Sequence, residues 1–283
     1  MEIKTVGVVG CGLMGSGIAE VCARAGYQVI VREVNDQLLQ KGLGRIQKSM
    51  SKGVSRGKLT QEEMDAAWAR IKGTTDMADL APCDLVIEAV IENMEVKKQV
   101  FAELDRLLAP HAIIASNTSS LCITEMAAVT QRPDKVLGIH FFNPVPVMPL
   151  IEFVRTILTS DETMQVAQQF AQSLGKTTVT APDQPGFIVN RLLVPYLLDA
   201  VRIYEAGLAS REDIDTAIKL GLNHPMGPLT LLDFVGLDTC LFIADAMYEE
   251  FKDPRYAAPP LLRRMVLAGH LGRKSGKGFY DYQ

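Results

Sequence analysis

One histidine and one glutamate stand where they could act together. His140 ends an apolar, strand-like run, Val136-Leu137-Gly138-Ile139, and precedes Phe141-Phe142-Asn143-Pro144. If the strand before Asn143 and the strand starting at Leu150 fold back across the intervening Asn-Pro-x-Pro-x-Met-Pro segment, residues symmetric about Pro146 face one another. His140 and Glu152 are such a pair. A carboxylate against an imidazole fixes its tautomer and stabilises the imidazolium that forms on proton uptake, which makes a general base with its orienting partner; without chemistry, the same pair is a structural ion pair. Prolines seldom sit in a regular hairpin, and a shift of register would separate the two side chains.

A second group concerns phosphate. In Gly10-Cys11-Gly12-Leu13-Met14-Gly15 the first glycine permits a tight turn, the second lets the backbone approach a pyrophosphate, and the third lets helix and strand pack closely. The helix that follows would face the phosphates with unpaired N–H groups and partial positive charge. A G-x-G-x-x-G run alone marks any glycine turn. Here it follows a strand and opens a helix, and Glu33 closes the next strand about 20 positions on, where an acidic side chain hydrogen-bonds a ribose 2′-hydroxyl. The charge of Glu33 repels a 2′-phosphate and so favours NAD over NADP, unless Arg32 turns inward. Asn117-Thr118-Ser119-Ser120 follows another strand, at a carboxyl end where open α/β sheets bind ligands; Ser120 could instead cap the segment beginning at Leu121.

The elements that must position these groups alternate. Ile3–Val9 and Tyr27–Val31 read as strands around a helix, Ser16–Ala25, that stops at Gly26, giving one βαβ unit. Asn35 can cap a helix reaching past Lys48, and Thr60-Gln61-Glu62-Glu63 is a capping box. Asp84–Val90, Ala112–Ser116, Val136–Phe142 and Ile151–Val154 read as strands, with a helix from Glu95 to Leu108. The alternation predicts an α/β fold with a doubly wound, mostly parallel sheet. Near Ala181-Pro182-Asp183-Gln184-Pro185-Gly186 the pattern becomes helical: Phe187–Ala206, a helix opening at Ser210, and two more around Asp238–Glu250 and Leu261–Ala268. The expected domains are residues 1–184 and an all-helical 185–283.

With 283 residues and roughly 150 per domain, the chain has room for about two domains. Its 48% hydrophobic and 22% charged residues suit a large core and exclude the disordered and collagen-like classes. The net charge of -4 argues against nucleic acid or an anionic membrane as partner. Five scattered cysteines, never spaced C-x-x-C, argue against a disulfide framework or a structural zinc site and for a reducing compartment. The longest uncharged stretch, Val136–Ile151, contains His140, Asn143 and three prolines, so it is not a membrane span. The sequence opens on strand-like residues with no basic-then-apolar leader, and the expected location is the cytoplasm, although a processed organellar protein would read the same way.

The chain resembles the (S)-3-hydroxyacyl-CoA dehydrogenase family, of the 3-hydroxybutyryl-CoA type, over essentially its whole length. The resemblance rests on GCGLMGSGIA at 10–19, EAVIENMEVK at 88–97, SNTSSL at 116–121, GIHFFNPVPVMPLIE at 138–152, PGFIVNRLL at 185–193, HPMGP at 224–228 and GKGFYDY at 276–282. It implies a Rossmann-like N-terminal domain, a helical C-terminal domain that forms a homodimer, NAD as cofactor, and hydride transfer between NAD and carbon 3 of an acyl-CoA. By motif position His140 is the base and Glu152 its partner, while Ser119 and Asn190 hold the substrate's C3 oxygen and thioester region. The same positions assign Gly10, Gly12, Leu13, Met14 and Gly15, Glu33, Glu92 and Lys97 to the cofactor, with Ser119 and Asn143 near the nicotinamide. Glu33 stands where the family commonly carries Asp.

CoA is polyanionic, so an acidic protein must supply local positive charge. Lys41, Arg45, Lys48, Lys52 and Arg56 recur at spacings of three and four, one helix face if the helix continues past Gly53, which could end it before Arg56. The resemblance assigns Ser49, Lys52 and Arg56 to CoA; a solvated basic face is the other reading. Two rivals remain: a related two-domain dehydrogenase acting on a free hydroxy acid or sugar acid, and a non-catalytic NAD-binding protein, to which His140 and Glu152 would be superfluous.

Overall fold

A computed structural model describes residues 2–282. The chain forms two compact units, the first ending at Gln184 and the second beginning at Pro185.

In the first unit, β1 (Thr5–Val9) is buried at every position after Thr5, as a central strand covered on both faces must be. The glycine loop leads into α1 (Leu13–Arg24), and Gly26, at φ +101°, turns the chain into β2 (Gln28–Arg32). Asn35 caps α2 (Asp36–Ser55) by accepting a hydrogen bond from Leu38 N at 2.9 Å. This helix runs through Gly53, contrary to the expectation that Gly53 could end it. Gly57, at φ +66°, is the terminator instead, with Gly57 N bonded to Val54 O and Lys58 N reaching back to Gly53 O at 2.9 Å. The Thr60–Glu63 capping box opens α3 (Gln61–Trp68).

The sheet continues with β3 (Ile71–Thr74), β4 (Leu85–Glu88), α4 (Met94–Leu107), β5 (Ile113–Ser116), α5 (Ile123–Ala127), β6 (Val136–Phe141), β7 (Leu150–Arg155), α6 (Asp161–Ser173) and β8 (Thr177–Pro182). Strand order is β3-β2-β1-β4-β5-β6-β7-β8, parallel at every pairing except β6 with β7. The first six strands have the doubly wound dinucleotide-binding order, whose direction of growth reverses between β1 and β4. Ligands bind such sheets beyond the carboxyl ends of the strands at that reversal. The edge strands β3 and β8 have no counterpart in the sequence reading; β3 is largely half-buried and half of β8 is exposed, so neither shows the apolar run of a central strand.

Ser120 does not cap α5. Its N-terminus is held from 60 residues away by Asp183, which accepts from Ile123 N at 3.0 Å and Thr124 N at 2.6 Å.

The second unit is helical: α7 (Val189–Glu205), α8 (Arg211–Gly221), α9 (Pro228–Val235), α10 (Leu237–Phe251) and α11 (Pro260–Leu267). Leu198, Leu229, Leu232, Ala244, Met247 and Tyr256 form the centre of its core. The short α9, which the sequence reading lacks, is capped by buried Asp215, accepting from Leu229 N at 2.8 Å and Thr230 N at 2.9 Å. Among the described residues no helix is long and apolar enough to cross a membrane.

Candidate active site

Four strand ends converge on one crevice of the first unit. The glycine loop leaves β1, residues 89–93 leave β4, residues 117–120 leave β5, and His140 lies one residue from the end of β6.

The glycine loop has the form a pyrophosphate requires. Gly10 is at φ +97°, and a Cβ there would lie 2.6 Å from Ala89 O. A Cβ on Gly15 would lie 1.8 Å from Gly10 O, so helix and turn approach as closely as backbone allows. Gly12 is the N-cap of α1 without a side-chain cap, and a Cβ on it would meet nothing within 4 Å. No side chain takes the first-turn N–H groups of α1, the kind of donors that bind an anion. Leu13 is exposed and Met14 half-buried. Glu33 binds the loop directly: Oε2 accepts from Cys11 N at 2.9 Å and Oε1 from Val34 N at 2.7 Å. Arg32 does not turn inward; its Nε donates to Thr75 O at 3.3 Å. The donor set thus fits a dinucleotide with a carboxylate for its ribose.

His140 and Glu152 are direct partners across the antiparallel pair, and Nδ1 lies 2.7 Å from Glu152 Oε2. Glu152 is fully buried and His140 nearly so. A carboxylate only accepts, so Nδ1 carries the proton toward Glu152 and Nε2 is the ring's accepting nitrogen. Ser119 Oγ lies 3.1 Å from Nε2 and is placed to donate to it. The imidazole therefore presents a proton acceptor beside a hydroxyl at the mouth of the crevice.

Glu92 and Lys97 meet: Lys97 Nζ lies 3.1 Å from Glu92 Oε2, and Glu92 Oε1 accepts from Ser119 N at 3.0 Å. Asn143 is exposed just beyond β6, before a cis bond to Pro144. Ser49, Lys52 and Arg56 line one groove of about 400 Å³ with Pro144, Pro146 and Val147. Asn190 lies in the first turn of α7, in the second unit.

The sequence reading gave no role to Glu88, Asn117 or Lys176. Asn117 Oδ1 accepts from Phe141 N at 2.9 Å, joining the Ser119 loop to the end of β6. Lys176 Nζ donates to Val145 O and Met148 O, both at 2.6 Å, and so ties down the proline-rich connection between His140 and Glu152. The one advance signal was Glu88, an acidic residue ending an otherwise apolar strand.

A glycine cradle at the sheet's reversal, with a proton-accepting imidazole a few strands away, defines a dinucleotide-dependent oxidoreductase. Residues 5–184 match the 3-hydroxyacyl-CoA dehydrogenase NAD-binding domain, and residues 186–282 match the 3-hydroxyacyl-CoA dehydrogenase C-terminal domain. The chain belongs to the 3-hydroxyacyl-CoA dehydrogenase family, and NAD is its cofactor. It is 56% identical over 282 residues to a 3-hydroxybutyryl-CoA dehydrogenase of Mycobacterium tuberculosis, covering 99% of both chains. The crystal structure of M. tuberculosis FadB2 matches with a TM-score of 0.99 at 55% identity, and that of the (S)-3-hydroxybutyryl-CoA dehydrogenase PaaH1 from Ralstonia eutropha with 0.95 at 46%; each comparison covers 100% of both chains.

Proposed function

We propose that the protein interconverts (S)-3-hydroxyacyl-CoA and 3-ketoacyl-CoA, 3-hydroxybutyryl-CoA and acetoacetyl-CoA among them, with His140 as general base. The observation that carries this reading is the position of His140 between Glu152 on Nδ1 and Ser119 on Nε2. Bound over the glycine loop and Glu33, NAD supplies the acceptor for the hydride leaving carbon 3.

His140 Nε2 takes the 3-hydroxyl proton, and Glu152 stabilises the resulting imidazolium through Nδ1–H. In the reverse direction the imidazolium returns that proton to the C3 oxygen. Ser119 Oγ donates a hydrogen bond where negative charge develops on that oxygen, and Asn190 serves the thioester region by its place in the family motif. Gly10, Gly12, Leu13, Met14 and Gly15 receive the pyrophosphate, while Glu92, Lys97 and Asn143 bound the nicotinamide end. Ser49, Lys52 and Arg56 bind the CoA phosphates, supported by the groove they share. The negative charge of Glu33 and the outward tether of Arg32 support NAD over NADP.

The second unit carries an apolar groove of about 340 Å³ lined by Tyr196, Ile203, Ala209, Ile214, Ile218 and Pro228, which supports the assembly of two copies as a homodimer. We place the enzyme in the cytoplasm.

The test is NADH oxidation with acetoacetyl-CoA beside acetoacetate and sugar acids. Turnover confined to the thioester is expected; comparable rates with the free acids would overturn the CoA assignment.

A further inference from the structure

Lys97 is a buried cation between two carboxylates. Its Nζ lies 2.7 Å from Glu88 Oε1 and 3.1 Å from Glu92 Oε2, and its side chain is 1% exposed against 0% for Glu88 and 33% for Glu92. A carboxylate without solvent stays charged only if its oxygens are met by donors. Glu88 meets this condition: Oε1 accepts from Lys97 Nζ and from Val90 N at 2.7 Å, and Oε2 accepts from Ser116 Oγ at 2.7 Å. Burial pushes its carboxyl up, and Lys97 is the strongest pull back down.

Two routes lead from Glu88 to Ser119. Along the first, Ser116 Oγ, held by Glu88, accepts from Thr118 N at 3.1 Å. Along the second, Lys97 holds Glu92, whose Oε1 accepts from Thr118 Oγ1 and from Ser119 N, both at 3.0 Å. Both routes fix the backbone that presents Ser119 Oγ to His140 Nε2. A carboxylate needed only to neutralise Lys97 would have no cause to bond Ser116 as well, and Glu92 already offers Lys97 one charge.

We propose that Glu88 is a positioning residue for the reacting imidazole, holding residues 116–119 so that the Ser119 hydroxyl is kept beside His140 Nε2, where it can turn to the C3 oxygen when substrate binds. The inference rests on the reading of His140 as the base. With Glu88 neutralised, the whole charge of Lys97 falls on Glu92 and draws that carboxylate away from Thr118 and Ser119. The expected consequence is a loss in kcat larger than any change in KM for the ketoacyl substrate.

The test is a double-mutant cycle of E88Q with S119A, read as kcat at saturating NADH and acetoacetyl-CoA. E88Q is expected to lower kcat on the order of 10-fold when Ser119 is present and less than about twofold in the S119A background. Equal losses in both backgrounds would overturn the proposal, because Glu88 would then act without Ser119. S116A, which removes one hydroxyl from the first route, repeats the cycle should E88Q fail to fold, with the same two outcomes. The ¹⁵N resonance of His140 Nε2 in the ligand-free protein reads the same coupling without turnover. A shift caused by E88Q that vanishes in S119A supports the proposal even if acetoacetyl-CoA is not the substrate, and no shift in either background sinks it.

Discussion

Gly42 of α2 lies against Cys11 in the glycine loop so closely that a Cβ would fall 2.2 Å from Cys11 Sγ and 2.5 Å from Cys11 O. The second of these is backbone and cannot turn aside, so a side chain at 42 must displace the loop that faces the pyrophosphate. By helix propensity alone Gly42→Ala would stabilise α2 by roughly 1 kcal/mol. The contact reverses that sign at the binding site: NADH affinity is expected to fall on the order of 10-fold, measured by fluorescence titration, where each factor of ten is about 1.4 kcal/mol. Unaltered affinity would show that the loop tolerates the displacement.

His140→Gln is expected to reduce turnover on the order of 10²-fold or more while NADH affinity stays within about twofold. Glu152→Gln should reduce it for a different reason. An amide can donate as well as accept, so Nδ1 no longer has to carry the proton and the imidazolium loses its counter-charge. Stopped-flow turnover with a parallel NADH titration separates these effects from a general loss of structure.

Lys52→Ala and Arg56→Ala should raise KM for acetoacetyl-CoA several-fold to about 10-fold with kcat little changed, as loss of uniform binding does. The acetoacetyl thioester of N-acetylcysteamine lacks the CoA phosphates. Its kinetics should not change in either variant, and an equal rise in its KM would remove both residues from the CoA groove.

Glu20, buried on α1, lines the same groove as Ser49, Lys52 and Arg56. Burial pushes its carboxyl above the ordinary value of 4.5, against the pull of Ser49 and Arg24. The folded state therefore holds this proton more tightly than the unfolded state does. The resulting cost to stability is absent below about pH 4.5, grows as pH rises through the folded value, and is complete above it. Glu20→Gln removes that cost, so its thermal midpoint should gain on the native protein at pH 8 and not at pH 4. An offset independent of pH would contradict the assignment.

Asp233 anchors the last residues of the second unit, accepting from Phe279 N, Tyr280 N and Tyr282 Oη, each at 2.9 Å. It is 1% exposed, so Asp233→Ala strands two backbone donors away from water. A loss of about 2–4 kcal/mol is expected from urea unfolding.

The pairing of His140 with Glu152 was legible because an antiparallel turn obeys arithmetic: once two strands flank a connection, their register follows from its midpoint, here Pro146. The caps at Asn35 and Thr60 were legible for a related reason, since each is satisfied by residues within three positions of itself, and the glycine loop because its three glycines lie within six residues between a strand and a helix. The end of α2 stayed open in the sequence because two glycines lie four residues apart; the helix stops before Arg56, and the glycine that terminates it is Gly57, whose φ turns positive. The cap of α9 by Asp215 and that of α5 by Asp183 left no local trace, because their partners lie 14 and 60 residues away.

From its own letters the chain determined the alternation of strand and helix, the cradle for a pyrophosphate and the facing of one imidazole by one carboxylate. Each leaves its mark within a few residues or across a single connection. Tertiary structure alone decided that Ser119, 21 residues from His140, would meet its Nε2, and that Lys97 would stand between Glu88 and Glu92. Those meetings depend on which strands become neighbours, and strand order is set by burial summed over the whole sheet, which no local window contains.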